Sequence, residues 1–272
     1  MSPNETSSTR RTVLKTIGVG TVASSGLVGV ATATDDDIMT KSGGGSYNTL
    51  SLDKKQLLMG EDEFREYVQK MTDRYGDAGV FGTGDPTYDG FVTADTKNMS
   101  KQYDDEDAFD GSCSVDSAAV TYRVETKSDE TRYRHLLWAA ADNRNLTYVA
   151  DPFHLVTEPL RTHYLKVGME TGSARIENPG LTGTTAADSS SRVDVELDNG
   201  NATFKLPTGR ITDSPPFRES TELGSHGRYT LGWEGLADGV RSVATTVETV
   251  HTGEDHEITW TTGHGFGYRS LF

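Results

Sequence analysis

The chain has 272 residues, of which 41 are Asp or Glu and 26 Lys or Arg, for a formal charge of -15. A surface that anionic repels phosphate backbones and anionic headgroups, which argues against nucleic-acid binding or membrane attachment through a basic patch. The single cysteine, Cys113, excludes an internal disulfide and a multi-cysteine zinc site, and a lone cysteine is expected to be buried as a small hydrophobe. With 3 Trp, 11 Tyr and 9 Phe the chain is not disordered throughout, and its length suffices for one large or two small domains.

In chain order, the first feature is Thr9-Arg10-Arg11-Thr12-Val13-Leu14-Lys15, followed by a mildly apolar run from Thr16 to Val30 broken by Gly18, Gly20, Gly26 and Gly29. Arg10 and Arg11, then Leu14 and Lys15, then a weak glycine-bearing apolar segment resemble a twin-arginine export signal. Together with an acidic composition containing few lysines, the segment makes the chain resemble the exported proteins of haloarchaea. The resemblance implies a signal peptide over residues 1–33, cut at the small residues Ala31 and Ala33, and the twin-arginine export machinery as a partner. It further implies a body that folds before crossing the membrane and a secreted or cell-surface destination. At about 1.5 Å per residue the apolar run is too short to cross roughly 30 Å of hydrocarbon, so no membrane span is expected in the mature chain. Removing Glu5, Arg10, Arg11 and Lys15 leaves 23 basic and 40 acidic residues, a charge of -17. Molar salt, with a Debye length of roughly 3 Å, screens such self-repulsion.

Residues 34–50 contain Asp35-Asp36-Asp37 and Gly43-Gly44-Gly45 and almost nothing apolar, which predicts a flexible spacer. Residues 51–111 read as a helical and turn-rich region. Phe64, Tyr67, Val68, Met71 and Tyr75 recur at helical spacing, with Glu61, Asp62 and Glu63 before them and Lys70 and Arg74 near the end, charges that suit the helix dipole. A weaker half-helix is expected over 52–59, with Ser51 as its cap, and Asp77 to Asp110 reads as turns with short extended pieces near Val80 and Phe91. Residues 112–272 read as an antiparallel β domain. The clearest signal is Arg192 to Leu206, where Val193, Val195 and Leu197 alternate with charged residues up to Asn199-Gly200 and Ala202, Phe204 and Leu206 alternate after it, predicting a hairpin. Strands are also expected over 118–125, 146–150, 163–170, 228–233, 241–251 and 257–261. Residues 133–141 lean to strand although Ala139-Ala140-Ala141 favours helix, and the stretches 171–191 and 207–227 show no period. The fold class is therefore α+β, mainly β: an antiparallel β-sandwich-like domain preceded by a short helical region.

Candidate chemistry is sparse. His251 and His256 flank a four-residue segment that would pair them across a hairpin. Glu254 and His264 could complete the nitrogen and oxygen ligands of a zinc or copper site. Asp104-Asp105-Glu106-Asp107-Ala108-Phe109-Asp110-Gly111 offers hard oxygens for calcium but lacks the EF-hand frame, and such a run also suits a solvated surface. Asn98, Asn145 and Asn201 each begin an Asn-x-Ser/Thr glycosylation sequon. No nucleophile elbow, zinc-protease helix, phosphate loop or dinucleotide fingerprint occurs. No cofactor is expected, with zinc or calcium as the alternatives. The function this points to is an exported, salt-adapted, non-enzymatic binding module for an extracellular partner. The alternatives are a secreted metal-dependent hydrolase using the C-terminal histidines and a secreted, bacteriocin-like antagonist precursor.

Overall fold

The computed structural model describes residues 38–52, 59–75, 82–83, 91–104, 109–127, 129–149, 157–179, 191–197, 200–206, 218–237, 239–253 and 256–269. Ile38–Ser51 (β1), Glu257–Arg269 (β15), Arg161–Thr171 (β7), Arg228–Ala237 (β13) and Arg218–Glu222 (β11) form a five-stranded antiparallel sheet in that order. A larger antiparallel sheet runs through Gly224–Ser225 (β12), Arg175–Pro179 (β8), Val240–Thr252 (β14), Glu130–Val149 (β5), Phe109–Lys127 (β4) and Phe91–Asp104 (β3), with Thr157–Pro159 (β6) also paired to β5. Gly82–Thr83 (β2), Gly200–Leu206 (β10) and Ser191–Leu197 (β9) make a smaller sheet, and Glu61–Tyr75 (α1) is the helix. Among the described residues the protein is thus mainly β, with two principal antiparallel sheets and one short helix. Asp35–Phe272 is one compact unit.

The larger sheet is covered on both faces. Cys113, Val115 and Ala119 of β4, Tyr133, Leu137, Ala139 and Ala141 of β5, and Val243 and Val247 of β14 share a core with residues of the five-stranded sheet, among them Leu50, Leu165, Val167, Met169, Tyr229, Ile258, Trp260 and Phe266. On the opposite face Ala118, Val120, Tyr122, Leu136, Trp138 and Ala140 pack against Phe64, Val68, Met71 and Tyr75 of α1. Strand side chains alternate between faces, so where a strand is covered on both, its apolar residues can run on without alternation. That is why residues 136–141 read as an unbroken apolar run that period alone cannot assign. Burying each of these large side chains contributes about 1.5–3 kcal/mol.

The helix forms as its sequence dictates: the Glu63 carboxylate accepts from the Gly60 amide at 2.9 Å, the acids stand at the positive end of the dipole, and one face is apolar. Its last turn is clasped to β4 and β3. Asp116, 2% exposed, accepts from Arg74 Nη1 at 2.8 Å, from the Tyr75 hydroxyl at 2.5 Å and from Asn98 Nδ2 at 2.6 Å, while Arg74 Nη2 donates to Ser114 Oγ at 2.6 Å. Burial and the Asp116 carboxylate together push the Tyr75 hydroxyl well above the usual phenol range.

Several expectations are corrected. The segment expected as a spacer contains β1, paired along its length with β15, and ends in the fully buried Leu50. Its glycines serve close approach: a Cβ on Gly44 would come within 3.1 Å of the His264 ring, and one on Gly45 within 2.7 Å of the Thr262 carbonyl. Ser51, expected as a cap, is the last residue of this strand, and residues 53–58 of the expected half-helix lie outside the described ones. The reading of 77–110 as turns with a short extended piece near Phe91 understated β3, which begins at Phe91 but runs on to Asp104, its alternation of Thr93, Ala94 and Asp95 being too polar to stand out. The strands expected separately over 133–141 and 146–150 are one strand, β5, and what lies between them is a register shift, where Ser112 faces Asn145 and Ser114 faces Asp142. Finally, β14 and β15 follow one another but belong to different sheets, so they do not form the hairpin expected to carry His251 and His256. The hairpin expected over 192–206 is present as β9 and β10, joined in the register Val195↔Ala202 and Leu197↔Gly200.

Candidate functional site

The densest polar chemistry among the described residues lies inside the sandwich. Thr121 and His135 face each other across β4 and β5, and their side chains meet at Thr121 Oγ1 and His135 Nδ1, 3.0 Å apart. His135 Nε2 lies 2.7 Å from Thr249 Oγ1, which is itself 2.9 Å from His251 Nε2. All four residues are fully buried. A neutral imidazole has one donor and one acceptor nitrogen, and threonine hydroxyls serve as either, so the line can be satisfied without any charge. Burial, reinforced by His251 and Arg134, drives the pKa of His135 well below the ordinary imidazole value.

The Tyr133 ring meets His251 edge-on, with centroids 5.2 Å apart, and His256 at 5.6 Å. Its hydroxyl lies 2.9 Å from His256 Nδ1, and His256 Nε2 lies 3.0 Å from the Gly253 carbonyl. A carbonyl only accepts, so Nε2 carries the proton and Nδ1 accepts from the tyrosine when His256 is neutral. The chain between β14 and β15, with Gly253 at φ 76°, carries His256 from one layer toward the other, and the His256 carbonyl accepts from the Leu52 amide at 2.8 Å.

Of the residues singled out from sequence, His251 and His256 do come together, with ring centroids 5.1 Å apart, though across the gap between layers and not across a hairpin. His264 does not join them. It sits in β15 beside Leu165 of β7 and Gly44 of β1, eight residues beyond His256 along an extended strand, a separation of about 26 Å at the usual rise. Its Nδ1 is buried without a hydrogen-bond partner, and burial holds its pKa down to about 4. Glu254 lies outside the described residues, and no group of three or more His, Cys, Asp or Glu with metal-holding geometry occurs among those described. Asp104 and Asp110 face each other where β3 and β4 meet, and residues 105–108 between them lie outside the description. Cys113 is buried, and burial raises its thiol pKa, which disfavours the reactive thiolate.

The sequons differ. Asn98 and Asn145 are both exposed, but Asn98 also donates to Asp116; Asn201 lies in β10 opposite Glu196, its side chain outside the description. Residues 1–37, including Arg10, Arg11, Leu14, Lys15, Ala31 and Ala33, also lie outside it.

Sequence reasoning did not find His135, Tyr133, Asp116 or Asp95. Asp95 reaches from β3 to the other sheet, accepting from Trp260 Nε1 at 3.0 Å and from Asn48 Nδ2, and so clips the layers along one edge. The only sequence signal for Tyr133 and His135 is their shared parity with Leu137, which marks the inward face once the strand is assigned. Comparison with family models, curated proteins and solved structures finds no match to this chain. Among the described residues no helix is long and apolar enough to cross a membrane.

Proposed function

We propose that the chain is an exported, salt-adapted protein whose β-sandwich acts outside the cell, free or at its surface, as a non-enzymatic binding module. The observation that carries this reading is the leader pattern itself, Arg10-Arg11 with Leu14 and Lys15, a weak apolar run and the small residues Ala31 and Ala33, followed by an acid-rich, lysine-poor remainder. A cut after Ala33 frees a body able to fold before transport, the kind of cargo a twin-arginine route requires. The acid excess supports the salt-adapted part. The non-enzymatic part is supported by His135 and His256, both ring nitrogens of which are engaged by protein groups. The test is to replace Arg10 and Arg11 together by Lys in an archaeal host grown in molar salt. Export should stop while the folded protein accumulates inside the cell; unchanged export would refute the reading.

The approach of His251 and His256 to 5.1 Å favours a second reading, a secreted metal-dependent hydrolase holding zinc on these two residues with Glu254. Both nitrogens of His256 already have protein partners, so zinc would have to displace Tyr133 or Gly253. Stoichiometric zinc in the purified protein, lost in His256→Ala, would select this reading over the first.

A further inference from the structure

We propose that Asn145 is a glycan acceptor of the exported protein and that Asn98, although it heads an equally good sequon, is not. The inference rests on the export reading, because a chain that folds before it crosses the membrane presents its sequons in their folded geometry. In that geometry both are exposed, and they differ in what their side-chain amides are doing.

Asn98 Nδ2 donates to Asp116 Oδ1 at 2.6 Å, and Asp116 is 2% exposed. Arg74 and Tyr75 of α1 converge on the other oxygen of the same carboxylate. A sugar on Nδ2 would have to enter beside a buried carboxylate at the end of the helix and disrupt the bond that helps to neutralise it. Asn145 stands at the register shift between β4 and β5, where two β5 residues are left without direct partners on β4. Arg144 and Asn145 are both exposed there, although in a regular strand successive residues point to opposite faces. Arg144 is occupied by Asp142, with Nη2 to Oδ2 at 2.7 Å and Nε to Oδ1 at 2.9 Å. The Asn145 side chain is left facing solvent, with Thr147 supplying the hydroxyl of the sequon two residues on.

The co-reactant is a lipid-phosphate-linked glycosyl donor. The Asn145 amide nitrogen forms a bond to the anomeric carbon as the bond from that carbon to the phosphate oxygen breaks. The amide gives up one proton, and the lipid phosphate leaves with the electron pair.

The test is peptide mass spectrometry on mature protein recovered from the medium of a glycosylating archaeal host grown in molar salt. The peptide containing Asn145 should carry a glycan, and the one containing Asn98 should be bare. Asn145→Gln should remove that glycan and leave export intact; Asn98→Gln should retain it while lowering the thermal midpoint by a few degrees. Exported, cleaved protein with a bare Asn145, or with a glycan on Asn98, would overturn this proposal and leave the export reading standing. Protein retained uncut inside the cell would overturn both.

Discussion

Thr121, His135, Thr249 and His251 form a line of hydrogen-bonding groups with no member at the surface, so the line is stable only while its imidazoles remain uncharged. The pKa of His135 is lowered in the folded protein, while in the unfolded chain it stays near 6.5. The unfolded state therefore binds more protons between those two values, and the stability contributed by neutral His135 is fully present above about pH 6.5 and lost as pH falls toward the folded pKa. Urea unfolding at fixed high salt should show a lower midpoint at pH 5 than at pH 7.5, and His135→Gln should flatten that dependence. An unchanged slope in the variant would remove His135 from the account. Asp116 is the other residue on which several groups depend. Asp116→Ala removes the acceptor of Arg74, Tyr75 and Asn98 and should cost about 2–4 kcal/mol, read as a drop in unfolding free energy. Tyr133→Phe should cost only about 1 kcal/mol, because the partly exposed His256 can turn to water for its lost partner.

Among the elements, β1 best shows where sequence reasoning stops. Its glycines and serines look like a spacer because they bring no apolar pattern, and their purpose appears only when the His264 ring and the Thr262 carbonyl are seen pressed against them. If β1 is integral, amides of 44–51 that bond to β15 should be among the protected ones in hydrogen exchange, and Leu50→Ala should cost about 2–5 kcal/mol. Exchange at the rate of a free peptide would return the segment to a spacer. The helix was legible, since Phe64, Val68, Met71 and Tyr75 fit one stripe with matching terminal charges, and so was the hairpin of β9 and β10, since Asn199-Gly200 breaks two alternating runs. Residues 136–141 were ambiguous for a physical reason: a strand buried on both faces loses the period that identifies strands. The meeting of His251 with His256 was legible from the short segment between them. The partners Tyr133, His135 and Thr249 were not, because they come from strands whose alignment depends on long-range pairing. Trp138→Ala, which empties the space between the larger sheet and α1, should cost about 3–5 kcal/mol and reduce helix signal at 222 nm more than a substitution between the sheets does.

For the whole molecule, the charge bears on the proposed destination. Without the proposed leader, a body with 40 acidic and 23 basic residues repels itself in dilute buffer, and molar salt relieves that repulsion. The thermal midpoint should rise steeply between 0.1 M and 2 M KCl, and a midpoint indifferent to salt would contradict salt adaptation. The central claim is that residues 1–33 are removed as an already folded anionic body leaves the cell, and the most direct measurement is the N-terminal sequence of the protein found in the medium. The account predicts a chain beginning at or near Thr34; a chain that still begins at Met1 and stays in the cytosol would contradict it.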